Sequence, residues 1–204
     1  MINIIFIKEE YMKLIIASNN KHKIYEIKKI LGGKFDEILS MREAEIEHET
    51  VEDGNTFMEN AVKKAREMAA ISGCAALADD SGICAHALGG EPGIYSARYS
   101  GMNGGHGDDL ANNALLLKNL SDKSDKSAHY TCAMALAYPD GALITAEGYM
   151  YGTITPDARG ERGFGYDPIF VPDGEERTVA EMTDDEKNAI SHRAKALAEL
   201  LAKL

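Results

Sequence analysis

The stretch "ALADDSGICAHALGGEPGIYSARYSG", residues 76–101, begins with small apolar residues and then places two carboxylates, Asp79 and Asp80, side by side. The apolar run predicts a buried strand at 75–78, and the acidic pair is expected where that strand ends. Adjacent strand residues point to opposite faces of a sheet, so both carboxylates can face one ion only if the chain turns. The "DDSG" tetrapeptide therefore predicts either an Asx-type turn or part of a cation site.

Composition narrows the class of protein. The chain has 204 residues, 45% of them hydrophobic and 27% charged, which is typical of one soluble globular domain. Its net charge of −11 argues against binding nucleic acid through the phosphate backbone. No apolar run approaches the roughly 20 residues of a membrane span, so no membrane association is expected. Three cysteines without CxxC spacing indicate neither a disulfide framework nor a structural zinc site, which favours a cytoplasmic location.

The first eleven residues are a possible N-terminal extension. Met12 begins "MKLIIASNN" and is a natural second start, so residues 1–11 are either an upstream-start extension or a weakly attached strand. They do not resemble a signal peptide, because no basic residue precedes their apolar run. No repeat or linker divides the remainder, and residues 12–204 are expected to form a single domain.

Strands and helices alternate in the first part of the chain. A buried strand is predicted at 14–17, followed by polar cap candidates and a helix. The apolar face of this helix comprises Ile24, Ile27, Ile30 and Leu31. A second helix is predicted from Thr56 to residue 72, because Thr56 and Glu59 have capping-box spacing and Gly73 can end the helix.

The second part of the chain predicts a helix, a hairpin and a C-terminal helix. The helix at 108–120 carries one apolar stripe: Leu110, Ala114 and Leu117. Strands at 128–137 and 142–151 flank the turn "YPDG", and a short strand is expected at 169–171. The C-terminal helix would point three residues inward: Ala194, Leu197 and Leu201. This mixture predicts an α/β or α+β domain with a long central sheet flanked by helices.

Two segments carry basic residues suited to an anion. "SNNKHK", residues 18–23, presents backbone N–H groups at a helix start, which favours phosphate, although ordinary N-capping is the more common reason for such a motif. In "EKNAISHRAK", Lys187 and His192 lie about 140° apart on a continuous helix and would not converge. If Ser191 instead caps a new helix, both can approach one anion together with Arg193; the alternative is a basic surface patch.

Two further segments offer a base-stacking loop and a second carboxylate. The glycines around Phe164 in "FGYDP" let the backbone approach a ligand, and Phe164 or Tyr166 can stack on a base; a tight turn with a core aromatic is the alternative. "TVEDGNTF" offers Glu52 and Asp53, which alone would be solvated charges. With the acidic pair they suit Mg²⁺, which prefers one or two carboxylates plus phosphate oxygens.

Together and in this order, these motifs closely resemble the inosine/xanthosine triphosphate pyrophosphatase family. The resemblance spans about residues 13–204 and includes "SNNKHKIYE", "EDGNTFMENAVKKA", "ADDSG", "GGEPGIYSARYSG", "ERGFGYDPIF" and "EKNAISHRAKAL". Members hydrolyse non-standard purine nucleoside triphosphates, ITP, dITP, XTP and dXTP, to the monophosphate and pyrophosphate. Arg162 departs from the pattern, since many relatives carry a glycine there.

The resemblance implies a fold, a cofactor and a set of site residues. The fold would be α/β, with an elongated central mixed sheet flanked by helices, two lobes and an active-site cleft between them, usually as a homodimer. The resemblance implies Mg²⁺ held by Glu52 and Asp80, with Asp80 as the catalytic residue. The implied substrate-binding residues are Ser18, Asn19, Asn20, Lys21, His22, Lys23, Lys64, Ser81, Phe164, Gly165, Tyr166, Asp167, Lys187, His192 and Arg193.

Two other functions stay open from the residues alone. A pyrophosphatase of related fold acting on modified pyrimidines would share the carboxylates but should lack the "ISHR" ending. A nucleotide-binding protein without activity would not need Glu52 and Asp80 together. Metal-dependent turnover and base preference distinguish these alternatives.

Overall fold

The computed structural model describes residues 12–101 and 108–204, so the possible extension at residues 1–11 lies outside the described residues. One mixed sheet has the strand order β2-β1-β3-β4-β5-β6. The strands are β1 (Lys13–Ile16), β2 (Glu37–Ser40), β3 (Ala75–Ala85), β4 (Ser127–Ala137), β5 (Leu143–Ile154) and β6 (Phe170–Pro172). The helices are α1 (Lys21–Leu31), α2 (Phe57–Ser72), α3 (Asp109–Leu120), α4 (Asp184–Ile190) and α5 (His192–Leu201). The predicted fold class is confirmed.

The strand that carries the acidic pair does not end there. β1 lies parallel to β2 and β3, whereas the later strands pair antiparallel. β3 continues to Ala85 because it stays paired with β4, while β1 pairs with β3 only as far as Leu77. The prediction that the strand ends at the acidic pair is therefore wrong. The neighbouring strand β1 ends before this point, so one edge of β3 has no pairing strand at Asp79 and Asp80.

Two core regions flank the acidic pair along β3. On one side, residues 76–78 pack with buried apolar residues of α1, α2 and α5. On the other side, Ile83 and Ala85 pack with α3 and with the segment around Phe170. The intervening residues 79–82 belong to neither core region. They consequently form the floor between two lobes.

Helix boundaries agree with the predicted caps, but two buried faces differ. Asn20 caps α1, Thr56 caps α2, and Gly73 ends α2 in the left-handed conformation. In α3, the predicted stripe is wrong at Leu110, which is 83% exposed, and at Ala114, whereas Leu117 packs against the core as predicted. The buried side is an adjacent one, namely Asn112, Asn113, Leu116 and Leu120.

The asparagines of α3 explain its orientation. Asn112 accepts hydrogen bonds from the Ser100 backbone and hydroxyl at 2.8 Å, and Asn113 donates to the Gly165 carbonyl at 3.1 Å. The buried amides form hydrogen bonds with backbone groups beside the cleft. The pattern of apolar residues in the sequence does not reveal these bonds. In α5, Leu197 is buried and Leu201 packs against the core as predicted, while Ala196 and Leu200 are buried in addition. No helix within the described ranges is long and apolar enough to cross a membrane.

Gly148 allows α5 to lie directly on β5. A Cβ added there would overlap the His192 carbonyl oxygen and the Ala196 nitrogen. We therefore expect Gly148→Ala to lower the free energy of unfolding by about 1–3 kcal/mol. Thermal denaturation should show a Tm lower by roughly 3–10 °C.

Gly32→Ala is the matched control for this substitution. There the added Cβ would meet its nearest atoms, two backbone oxygens of α1, at an ordinary 3.8 Å. Equal Tm values for the two alanine variants would contradict the close packing of α5 on β5.

Candidate active site

A cavity of about 650 Å³ lies over the floor at residues 79–82. Its volume is in the range of small-molecule sites. Most of the predicted site residues line it: Ser18, Asn19, Asn20, Lys23, Glu52, Lys64, Asp80, Ser81, Phe164, Gly165, Tyr166, Asp167, Lys187, His192 and Arg193. Lys21 and His22 do not line the cavity.

Asp79 binds cations on one side of β3. Its Oδ2 accepts from Lys23 Nζ at 3.0 Å and from Arg193 Nη2 at 3.1 Å. Burial alone would raise the pKa of this carboxyl, but Lys23 and Arg193 outweigh burial and hold the pKa well below its usual range. Asp79 is therefore a permanent anion that fixes two cations at the cavity.

Asp80 points to the other side of β3, toward α2. Its Oδ2 accepts from Asn60 Nδ2 at 3.0 Å, and its Oδ1 lies 3.5 Å from Lys64 Nζ. Burial raises the pKa of Asp80, with Glu52 adding to the rise and Lys64 opposing it. A carboxylate with a raised pKa is a stronger proton acceptor than an ordinary aspartate, so Asp80 suits general-base chemistry.

Glu52 reaches the cavity from residues 46–56, which lie outside helices and strands and precede α2. Glu52 Oε1 accepts from Lys64 Nζ at 2.7 Å. Asp53 instead pairs with Lys63 at 2.6 Å and does not line the cavity. Lys64 lowers the pKa of Glu52 although burial opposes this effect. Of the two neighbouring carboxylates, the structure brings Glu52 to Asp80.

Glu52 and Asp80 are suited to hold a magnesium ion whose other ligands include phosphate oxygens. Across residues 12–101 and 108–204, no three His, Cys, Asp or Glu side chains gather into an all-protein metal cage. Glu52 and Asp80 both contact the Lys64 ammonium, so their oxygens face a common cation. Asp79 Oδ1 is buried and has no partner among the described groups. One or two carboxylates completed by phosphate oxygens is the donor set that Mg²⁺ prefers.

The C-terminal basic residues converge because the helix restarts. Ser191 ends α4 and caps α5, where its Oγ accepts from the Ala194 N–H at 3.1 Å. This break brings Lys187, His192 and Arg193 to the same cavity. The condition under which the sequence predicts convergence is met.

His192 is a neutral side chain inside the cavity wall. Its ring stacks on Tyr130, with centroids 4.7 Å apart and planes inclined by 10°. Burial, helped by Arg193 and Lys187, holds the pKa of His192 well below its usual value. Its Nδ1 is buried without a partner among the described residues. A neutral imidazole with a free nitrogen can donate or accept one hydrogen bond with a ligand.

Glu26 pairs with two residues of the cavity without lining it, and the sequence analysis missed it. It is buried and pairs with Lys187 Nζ at 3.0 Å and with Arg193. Burial alone would raise its pKa, but Arg193 and Lys187 lower it overall. Its spacing from Lys23 (i, i+3) on the inward side of α1 was the available signal. Asn60, which donates to Asp80, was missed as well.

Comparisons of the sequence and of the structure with known proteins identify one family. A model of the Ham1 family matches residues 14–203. A relative from Streptomyces avermitilis named dITP/XTP pyrophosphatase is 48% identical, covering 93% of this chain and 95% of its own length. The structure of a HAM1 protein from Coxiella burnetii is 38% identical with a TM-score of 0.84, covering 95% of this chain and 100% of that one. The crystal structure of a protein from Mycobacterium abscessus named nucleoside-triphosphatase / dITP/XTP pyrophosphatase is 45% identical with a TM-score of 0.75, covering 93% of this chain and 99% of that one.

Proposed function

The chain belongs to the Ham1 family, and from this premise we propose that it hydrolyses non-standard purine nucleoside triphosphates to the monophosphate and pyrophosphate. The substrates are ITP, dITP, XTP and dXTP, and the reaction removes them from the nucleotide pool. One observation carries the proposal: a single cavity contains the phosphate-loop residue Lys23, the carboxylates Glu52 and Asp80, and the aromatic loop at Phe164.

The two carboxylates and the surrounding lysines have separate roles in the reaction. Glu52 and Asp80 would hold Mg²⁺, which when bound neutralises charge on the phosphates. Asp80 orients a water molecule and accepts its proton as the water attacks the α-phosphorus. The bond between the α- and β-phosphates breaks and pyrophosphate leaves. Lys23 and Lys64 offset the negative charge that develops on the phosphate oxygens.

Base recognition falls mainly to His192. Arg193 already donates to Asp79, Glu26 and Ser81, so its guanidinium has little capacity left for a base. His192 has a free ring nitrogen that can donate to O6 of hypoxanthine or xanthine. In the tautomer that donates to O6, His192 cannot accept from the amino group that adenine presents at this position, which disfavours adenine nucleotides.

The finer features of the proposal concern assembly and location. A homodimer and independence from nucleic acid and membranes rest on the family resemblance and on the net charge of −11. All three cysteines are free, which is consistent with a reducing cytoplasm.

A substrate panel tests the proposed function. Wild-type protein with Mg²⁺ is given inosine, xanthosine, adenosine, guanosine, cytidine and uridine triphosphates, and pyrophosphate and orthophosphate are quantified separately. We expect pyrophosphate as the direct product and a preference of roughly a hundredfold or more for inosine and xanthosine over adenosine triphosphate, because a wrong base leaves buried polar groups unpaired. Omission of Mg²⁺ should abolish turnover.

Other results of this panel would favour the alternatives. Preference for pyrimidines would indicate the related-fold pyrophosphatase. Nucleotide binding without turnover would indicate a binding protein, and direct release of orthophosphate would indicate a phosphatase.

A further inference from the structure

His22 contacts the base-stacking loop from outside the cavity. Its imidazole stacks on the Phe164 ring, with centroids 5.1 Å apart and planes inclined by 19°. Phe164 lines the cavity and His22 does not. The imidazole therefore supports the phenyl ring from beyond the cavity wall, rather than acting as part of the phosphate loop in which the sequence had placed it.

The two rings come from opposite lobes. His22 lies in the first turn of α1, whose buried residue Ile27 belongs to the core region that includes Leu77. Phe164 lies in the loop before Tyr166, which packs with Ile83 in the other core region. The contact thus bridges the mouth of the cleft.

The backbone on each side of this bridge is held independently of the two rings. Asn20 Oδ1 accepts from the His22 N–H at 3.0 Å, and Asp167 Oδ2 accepts from the Phe164 N–H at 3.0 Å. The side chain of His22 can consequently be changed while the cap of α1 and the loop conformation persist. The phenyl ring itself is also close to Lys187 Nζ, 4.7 Å from the ring centroid.

We propose that His22 is a positioning residue for the nucleobase: by stacking on Phe164 across the cleft mouth, it holds the phenyl ring against the cavity where the base binds. This inference rests on the proposed function for the identity of the base. The proposal predicts different effects for two parts of the ligand, because His22 would affect binding of the base but not binding of the phosphates.

The test compares a ligand that has a base with one that lacks it. Affinities of wild type and His22→Ala for inosine monophosphate and for inorganic pyrophosphate are measured by titration calorimetry with Mg²⁺ present. We expect His22→Ala to weaken binding of inosine monophosphate about three- to tenfold, the usual effect of losing an aromatic contact, and to leave pyrophosphate binding unchanged. In turnover, KM for ITP should rise by a similar factor while kcat stays constant.

Two variants control this experiment. His22→Phe keeps a ring that can stack and should restore wild-type affinity for inosine monophosphate. Tyr25→Ala removes an exposed aromatic side chain from the same helix and should change neither affinity.

Each other outcome overturns the inference in a recognisable way. Equal weakening of both ligands in His22→Ala would assign His22 to phosphate binding, and unchanged or tighter binding of inosine monophosphate would remove its positioning role. Failure of the proposed function would show differently, as absence of ITP hydrolysis by the wild type. The monophosphate titration still tests His22 in that case, and a wild type that does not bind inosine monophosphate overturns the inference as well.

Discussion

Asp80→Asn is expected to lose about 10²- to 10⁴-fold in kcat, the range for removal of a general base. The substitution takes away the proton acceptor and one of the two charges that face the cation position shared with Glu52. Initial rates with ITP at saturating Mg²⁺ measure this loss.

The same substitution should leave the fold intact. Burial already disfavours the charged form of Asp80, and an asparagine oxygen can still accept from Asn60 Nδ2. We therefore expect a Tm within a few degrees of wild type. Asp122→Asn, which changes an exposed carboxylate after α3, is the matched control and should retain full activity. Turnover of Asp80→Asn close to wild type would refute the catalytic assignment.

Arg193→Ala is expected to produce the largest loss of stability. The guanidinium is fully buried and pairs with Asp79 and Glu26, so its removal leaves two buried carboxylates with fewer partners. Breaking a buried ion pair on one side costs about 3–5 kcal/mol. For a chain of this length, Tm should fall by roughly 6–20 °C.

An exposed arginine provides the control. Arg177 pairs with Glu175 and Glu186 at the surface, and Arg177→Ala should lower the free energy of unfolding by less than about 1 kcal/mol. A double variant, Arg193→Ala with Asp79→Asn, should lose less than the sum of the single losses because it removes one unpaired charge. Equal Tm values for Arg193→Ala and Arg177→Ala would rule out a structural role for the buried network.

The difference in unfolding free energy between wild type and Arg193→Ala should also depend on pH. The pKa of Asp79 is lower in the folded chain than in the unfolded chain, so its ion pairs stabilise the fold above the unfolded pKa of about 3.9. The loss of unfolding free energy in Arg193→Ala should therefore have its full size at pH 7. It should shrink as the pH falls below about 4, because the unfolded chain then binds a proton at Asp79 while the folded chain keeps this carboxylate charged.

The sequence by itself determined the features that depend on neighbouring residues. The caps at Asn20 and Thr56, the stop at Gly73 and the hairpin turn between β4 and β5 each involve groups within a few positions. Such signals are local, so they can be recognised without knowing the fold. The ordered motifs also carried the family resemblance, although each motif alone had an ordinary structural explanation.

Only the tertiary structure decided which groups meet. Pairing with β4 continues β3 past Asp79 and Asp80, and the end of β1 exposes that edge. Arg193 and Asp79 lie 114 positions apart in the chain, yet they form one buried pair that also engages Glu26. The buried face of α3 likewise depends on polar groups of other segments, among them the Gly165 carbonyl. Burial, charge pairing and edge exposure arise from contacts between remote segments, and a local pattern carries no information about such partners.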